Sequence, residues 1–540
     1  MPLLTLATLG RFETIDQVML GAYLAAMVAM GVYFARREKS TDDYFRGGRR
    51  VPWWAAGMSI FGTALSSITY VSVPGNAFSY DWSMMIAQVS PLLLVPVVAA
   101  VYIPFYRKLD VTTPYEYLQK RFNTPVRLLA SAQWVLFQFV RMSIIIYLPS
   151  LALSTMTGID ITLCILLMGL VTTIYTMLGG IEAAVWTDVV QVVVLMGGAV
   201  VCALFAIARV DGGFGAILAQ GAEAGKFHTF DWSWDCTRAA VWVLAVGAAV
   251  SNFAVYSTDQ ALVQRYIITP DTRAARRALW TSALGGVPSA FLFFFLGTAM
   301  WVFYRQNPAL LPAETGGDIA RMKGDSALPL FMVQQLPPGA SGLVIAGIFA
   351  AAMSTICSGV NSIATAVTTD FVRRFRPAVG ERSLLKLARV LSLAIGAIAT
   401  TVAVVLARAN ITSQYRFFMS VLGLFTGGLA GLFVLGIFTR RATAAGALAG
   451  ALASAGVVLL VSLRPKWVPV HDMLYGVVTL SVCVIVGYLA SLVLPGRARP
   501  LANLTVFTSD RRTDRPPAAE SPAPPAAAGA PVGSSRGSGA

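Results

Sequence analysis

Apolar stretches of about 20 residues recur along this chain from residue 15 to residue 493. A run of that length is what an α-helix needs to cross the hydrocarbon core of a bilayer. Lipid offers no hydrogen bonds, so each crossing segment must satisfy its own backbone, which long apolar runs do as helices. The fold class that follows is an all-α integral membrane protein. Composition agrees. Charged residues make up 12% of the chain and the mean hydropathy is +0.68, whereas a water-soluble chain carries about 25% charge.

The pattern predicts about thirteen transmembrane helices: 16–34, 53–78, 83–105, 125–153, 160–178, 184–208, 239–262, 279–304, 342–369, 385–408, 413–438, 442–462 and 472–493. Arginine and lysine gather in alternate loops, first at Arg36, Arg37, Lys39, Arg46, Arg49 and Arg50, then at Arg107, Lys108, Lys120 and Arg121. Arg273, Arg276 and Arg277 follow, then Arg373, Arg374, Arg376 and Arg382, then Arg440 and Arg441, and last Arg497 and Arg499. By the positive-inside rule these loops are cytoplasmic. The N-terminus is then outside, the C-terminus inside, and the location a cell membrane. The net charge of +15 is thus accounted for by loops, and nucleic acid is not an expected partner; no obligate protein partner is inferred. Two long outer loops are expected at 210–238 and 305–340, with a short re-entrant or surface helix over 325–336. The first apolar segment reads as a spanning helix, not a cleavable signal. After about Pro500 the chain turns polar and then rich in Pro, Ala, Gly and Ser, a composition that does not order.

Cys164, Cys202, Cys236, Cys357 and Cys483 show no C-x-x-C spacing, and the histidines are His228 and His471, both in loops. Neither a disulfide framework nor a zinc site is indicated. The informative residues are polar ones inside apolar runs. Arg141 follows Gln138-Phe139-Val140 and precedes Met142-Ser143-Ile144. A guanidinium so placed should face a cavity or a partner: either a carboxylate on a solute, held by its planar fork, or a structural acid such as Asp188, unless it snorkels to an interface. Asp188 is itself either a cation ligand or half of an ion pair. Ser354, Thr355 and Ser358 bring three hydroxyls to one helical turn, which suits a hard cation such as Na⁺ but is also what close helix packing, common in membrane helices, uses. The span at 53–78 holds Gly57, Gly62, Thr63, Ser66, Ser67, Thr69, Pro74 and Gly75. It is built either to unwind and expose carbonyls or to kink and pack.

Tyr175-Thr176-Met177-Leu178-Gly179-Gly180-Ile181-Glu182-Ala183 with Trp186-Thr187-Asp188 and Gln191, then Thr258-Asp259-Gln260 with Val263-Gln264-Arg265, then Gly436-Ile437-Phe438 before Arg440 and Arg441, resemble the sodium:solute symporter family, which includes the sodium–glucose transporters. The resemblance covers residues 15–494. It implies the leucine-transporter-like fold of two inverted five-helix repeats, here 53–208 and 239–438, joined by an outer loop at 209–238. An extra helix and basic loop (1–52) precede them. Two further helices (439–494) and a disordered cytoplasmic tail (495–540) follow. It implies a Na⁺ site on carbonyls and hydroxyls of Gly62, Leu65, Ala351, Ser354 and Thr355. A second Na⁺ site would use Asp188, Ser354 and Ser358, with Cys357 where a serine is expected. The bacterial sialic acid branch is the most similar, and it implies solute contacts from Ser66, Thr69, Gln88 and Arg141; Ala64 and Met84 depart from that branch. The function implied is Na⁺-coupled symport of a small polar solute, most simply a sugar acid. A neutral sugar or a monocarboxylate is the alternative. A channel needs a continuous polar pathway, and an enzyme needs a nucleophile–base pair; the clustered mid-span polar residues favour neither.

Overall fold

The apolar runs fold as helices, and two of them break in mid-span. The computed structural model describes residues 13–508 except 38–39, 377, 409–413, 465–466 and 495–500. In chain order the main helices are α1 (Thr14–Ala35), α2 (Trp53–Ala64), α3 (Ser67–Ser79), the segmented α4 (Met85–Leu109), α5 (Thr124–Thr157), α6 (Ile161–Arg209) and α7 (Val241–Thr258). They continue as α8 (Gln260–Ile267), α9 (Thr272–Gln306), α10 (Ala340–Ala366), α11 (Glu381–Arg408), α12 (Gln414–Phe438), α13 (Ala444–Leu463) and α14 (Tyr475–Val493). Among the described residues ten helices are long and apolar enough to cross a membrane, or eleven when α2 and α3, bent by 60°, count as one. That count falls short of the expected thirteen.

One reason is α6. At 49 residues a straight helix would be about 74 Å long, more than twice a bilayer core. Gly180, at φ 49° and ψ −149°, turns the chain. Gln191 Nε2 donates to Tyr175 Oη at 3.3 Å, although 16 residues of straight helix would hold them about 24 Å apart. α6 is therefore a helical hairpin with a one-residue turn, where a short loop at 179–183 was expected. Only glycine adopts that backbone without strain, and a side chain there costs about 1–3 kcal/mol. Gly180→Ala is expected to lower the apparent melting temperature in detergent. Gly21→Ala, with nothing near the new methyl, should leave it unchanged. Equal melting of both variants would remove the turn's requirement.

α10 is the centre of the bundle. Every residue from 344 to 366 is buried, against both arms of α6 and against α5. Glycines, alanines and hydroxyl residues make that possible by letting helices approach closely. The break in α2–α3 faces it. α3 is packed by the helix Gly324–Gln335 of the second long loop, which matches the short helix expected over 325–336. The first long loop carries the helix Gly213–Glu223. The tail differs from expectation over 501–508: Val506 N donates to Ile437 O at 3.1 Å and Tyr117 Oη to Leu504 O at 3.1 Å. These contacts satisfy carbonyls and amides at the end of α12, so this short segment is ordered. Residues 509–540 lie outside the described residues.

Candidate functional site

Helix α2 ends at Leu65 (φ −90°, ψ 94°) and α3 starts after the extended Ser66. A helix that stops leaves its last carbonyls without intrahelical partners. Ser354 Oγ, on α10, donates to the carbonyl of Gly62 at 2.8 Å and approaches that of Ala351 at 3.3 Å. Thr355 Oγ1 lies 3.4 Å from Thr63 O and 3.3 Å from Ala351 O. Leu65, buried, sits at the break itself. Four of the five expected Na⁺ ligands therefore converge. All are neutral oxygens, and the Gly62 carbonyl lies at a helix C-terminus whose dipole attracts a cation. The donor set fits Na⁺.

The second cluster brings Asp188, Ser358 and Ser354 together around an arginine. Asp188 is fully buried and ion-paired with Arg265, whose Nη2 lies 2.9 Å from Oδ2. Ser59 Oγ donates to the same carboxylate and accepts from Arg265 Nε at 2.6 Å. Arg265 also donates to Ser358 Oγ, which in turn donates to Ser354 O at 2.7 Å. Of the two readings left open for Asp188, the structure shows the ion pair. The guanidinium engages Ser358 and only one oxygen of Asp188; Asp188 Oδ1 is buried with no hydrogen-bond partner among the described residues.

A second break separates α7 from α8 at Asp259, in extended conformation, whose Oδ1 accepts from Ala261 N at 2.8 Å and caps α8. Arg141, on α5, reaches both breaks. Its Nη1 lies 3.4 Å from Asp259 Oδ2 and its Nη2 3.4 Å from Thr63 O. The arginine is thus held by a protein carboxylate, and that acid is Asp259, not Asp188.

On one side of these breaks lies a cavity of about 220 Å³, lined by Phe61, Ala64, Leu65, Thr69, Gln88, Ser251, Asn252, Tyr256, Ser282, Ser289, Phe293 and Asp472, among others. Of the four expected solute contacts, Thr69 and Gln88 line it. Ser66 and Arg141, 7% and 8% exposed, lie outside its wall. The cavity's Ser251, Asn252, Ser282 and Ser289 escaped the sequence reading because isolated small polar residues in apolar helices look like packing residues. Asp259 and Arg265 had a usable signal: four buried acids, Asp16, Asp188, Asp259 and Asp370, and three buried arginines, Arg127, Arg141 and Arg265, lie in or at the ends of the spans.

A profile of the sodium:solute symporter family matches residues 44–454. The chain belongs to the sodium:solute symporter family. It is 42% identical to the sodium/sialic acid symporter SiaT of Proteus mirabilis, over 83% of this chain and 89% of that protein. It is 39% identical to the sodium/sialic acid symporter NanT of Aliivibrio fischeri, over 89% and 93%. A solved Na⁺-coupled sialic acid symporter, substrate-bound and outward-open, superimposes with a TM-score of 0.83 at 38% identity, covering 91% of this chain and all of that one. Mhp1, a nucleobase-cation-symport-1 family transporter, shares the fold at 15% identity and a TM-score of 0.51, over 84% and 95%. The symporter is a multi-pass membrane protein and a secondary transporter, not an enzyme, and Na⁺ is its co-transported ion.

Proposed function

We propose that this symporter imports sialic acid, or a sugar acid much like it, together with Na⁺ by alternating access. The observation that carries the reading is the pair of sodium/sialic acid symporters, at 42% and 39% identity over most of both chains. It is supported by Thr69 and Gln88 in the cavity wall and a guanidinium, Arg141, beneath it. Hydroxyl and amide groups suit a sugar acid's hydroxyls, and the arginine suits its carboxylate. The Na⁺ site is read at Gly62, Leu65, Ala351, Ser354 and Thr355. An ion there ties the broken helix to α10 and fixes the break beside Thr69. By linkage, solute then tightens Na⁺ as much as Na⁺ tightens solute.

The architecture proposed with it has thirteen crossings: the eleven above, one more from the α6 hairpin, and α12. The inverted repeats would be 53–208 and 239–438, each opening on a broken helix, α2–α3 and α7–α8. The N-terminus is placed outside and the C-terminus inside, on the loop charges. The cavity, bordered by Asp472 and Met473 before α14, then faces outward.

In proteoliposomes, sialic acid uptake is expected to require an inward Na⁺ gradient that K⁺ does not replace, and sialic acid is expected to drive ²²Na⁺ entry. Uptake against Na⁺ should give a Hill coefficient of about one, because the positive charge of Arg265, paired with Asp188 and bonded to Ser358, opposes a second cation there. Cys357→Ser should not raise it. Uptake without Na⁺ would sink the symport reading; a coefficient near two would sink only the single-ion reading.

A further inference from the structure

Three arginines in the spans are each paired with a buried acid, and one pair is unlike the others. Arg127 contacts Asp370 Oδ1 through Nε at 3.0 Å and Nη2 at 2.6 Å, and Asp370 also accepts from Thr113 and Ser131 at 2.7 Å each. Arg265 meets Asp188 at 2.9 Å inside a mesh of Ser59, Ser358 and the Ala261 carbonyl. Arg141 has a single 3.4 Å contact with Asp259 and a 3.4 Å contact with Thr63 O, and its Nε has no partner. A guanidinium forms its strongest bonds as a two-pronged fork to one carboxylate. Arg141 is charge-compensated here, but its fork is not filled.

Its place in the fold says what for. Thr63 is the residue before Ala64 and Leu65, and Asp259 is one turn beyond Val255 and Tyr256; those four residues line the cavity. The pair therefore lies just under the cavity floor, between the two helix breaks. We infer that Asp259 is the resting partner of Arg141, displaced when a solute carboxylate takes the guanidinium, and so a specificity-determining residue for anionic solutes. This rests on the sugar-acid reading above.

An empty carrier has to move between its two states with Arg141 buried, and an uncompensated buried charge opposes that movement. Asp259 supplies the compensation when no solute is bound. A neutral solute cannot displace it, so discrimination comes from competition as well as attraction. Once displaced, Asp259 keeps the backbone bond from Ala261 N and has Trp134 and, beyond it, Arg265 for neighbours.

Asp259→Asn removes the charge while keeping the volume and the helix cap, since asparagine caps as well as aspartate. The variant is expected to bind sialic acid about tenfold more tightly, the low end for a desolvated charge pair. Net uptake should fall relative to solute counterflow, because only net uptake needs the empty carrier to return. Asp259→Glu, which keeps the charge and extends its reach, should shift affinity the opposite way. Opposite signs are not what a purely structural role produces. If both variants weaken binding, or if uptake and counterflow fall together in Asp259→Asn, the exchange is wrong. The methyl ester of sialic acid separates the two ideas in the wild-type protein. An ester bound as tightly as the acid overturns the carboxylate reading, and the exchange with it. An ester bound weakly, with no tightening in Asp259→Asn, overturns the exchange alone.

Discussion

Ser354→Ala is expected to weaken apparent Na⁺ affinity in coupled uptake by at least about tenfold, and Thr355→Ala to do the same. Changes to groups merely supporting a metal ligand already cost about 10–100-fold, and these hydroxyls are read as ligands themselves. Each substitution removes one oxygen and little volume from a buried turn of α10. In the present arrangement Ser354 serves Gly62 O, and Thr355 serves Thr63 O. Losing Ser354 leaves Gly62 O short of a donor, a cost of about 1–3 kcal/mol that lowers thermal stability in K⁺ and in Na⁺ alike, whereas Thr63 O keeps the Arg141 contact when Thr355 is lost. The Na⁺-specific part is therefore the difference between the two salts. Wild type should melt higher in Na⁺ than in K⁺, because a ligand that binds only the folded protein stabilises it. Both variants should lose that increment. An alanine variant that keeps both the increment and its Na⁺ affinity removes that hydroxyl from the site.

How the ion acts on the solute follows from the same geometry. The α2 carbonyls proposed as ligands, Gly62 and Leu65, belong to the end of that helix, and Thr69 stands in the first turn of α3. Two hydroxyls and the Arg141 guanidinium hold the break, through contacts of 2.8–3.4 Å. A cation bonded to carbonyls on both sides of α2 and α10 stiffens that joint. Coupling then amounts to fixing the direction of α3, and no chemical step is involved.

Sequence reading reached the spans because lipid demands long apolar runs, and it reached the broken helix because glycine, proline and hydroxyls crowd residues 53–78. The α6 hairpin was legible as a glycine pair but not as a turn without a loop, since φ and ψ at Gly180 are not written in hydropathy. Arg141 and Asp188 stood out because a charge in lipid is costly, yet pairing them with each other would have been wrong. Which acid meets which arginine depends on how α5, α6, α8 and α10 pack, and a sequence does not order contacts 77 or 118 residues apart. The tail at 501–508 went unread for a related reason. Its Leu504 and Val506 are few and apolar, and what they meet, at Tyr117 and Ile437, is formed only once the helices have packed.

Arg141 carries the largest expected effect on the solute. Arg141→Lys keeps the charge but loses the planar fork, so sialic acid affinity should fall, by roughly tenfold or more if one of two charge-assisted bonds is lost. Arg141→Ala should nearly eliminate binding. The alanine variant has a second consequence, because it strands Asp259 in a buried site, and removing one member of a buried pair costs about 3–5 kcal/mol. Loss of transport in that variant alone is therefore ambiguous between a missing clamp and a damaged fold. The double change Arg141→Ala with Asp259→Asn restores neutrality and should recover most of the thermal stability. If the carboxylate reading holds, it should still fail to bind sialic acid, while any residual binding of a neutral sugar is unaffected by the change of charge. Binding by scintillation proximity or calorimetry, beside melting curves for all three variants, reads both quantities. A double variant that is as stable as wild type and binds the acid at normal affinity would make Arg141 a structural partner of Asp259, and a neutral-sugar symporter the better reading.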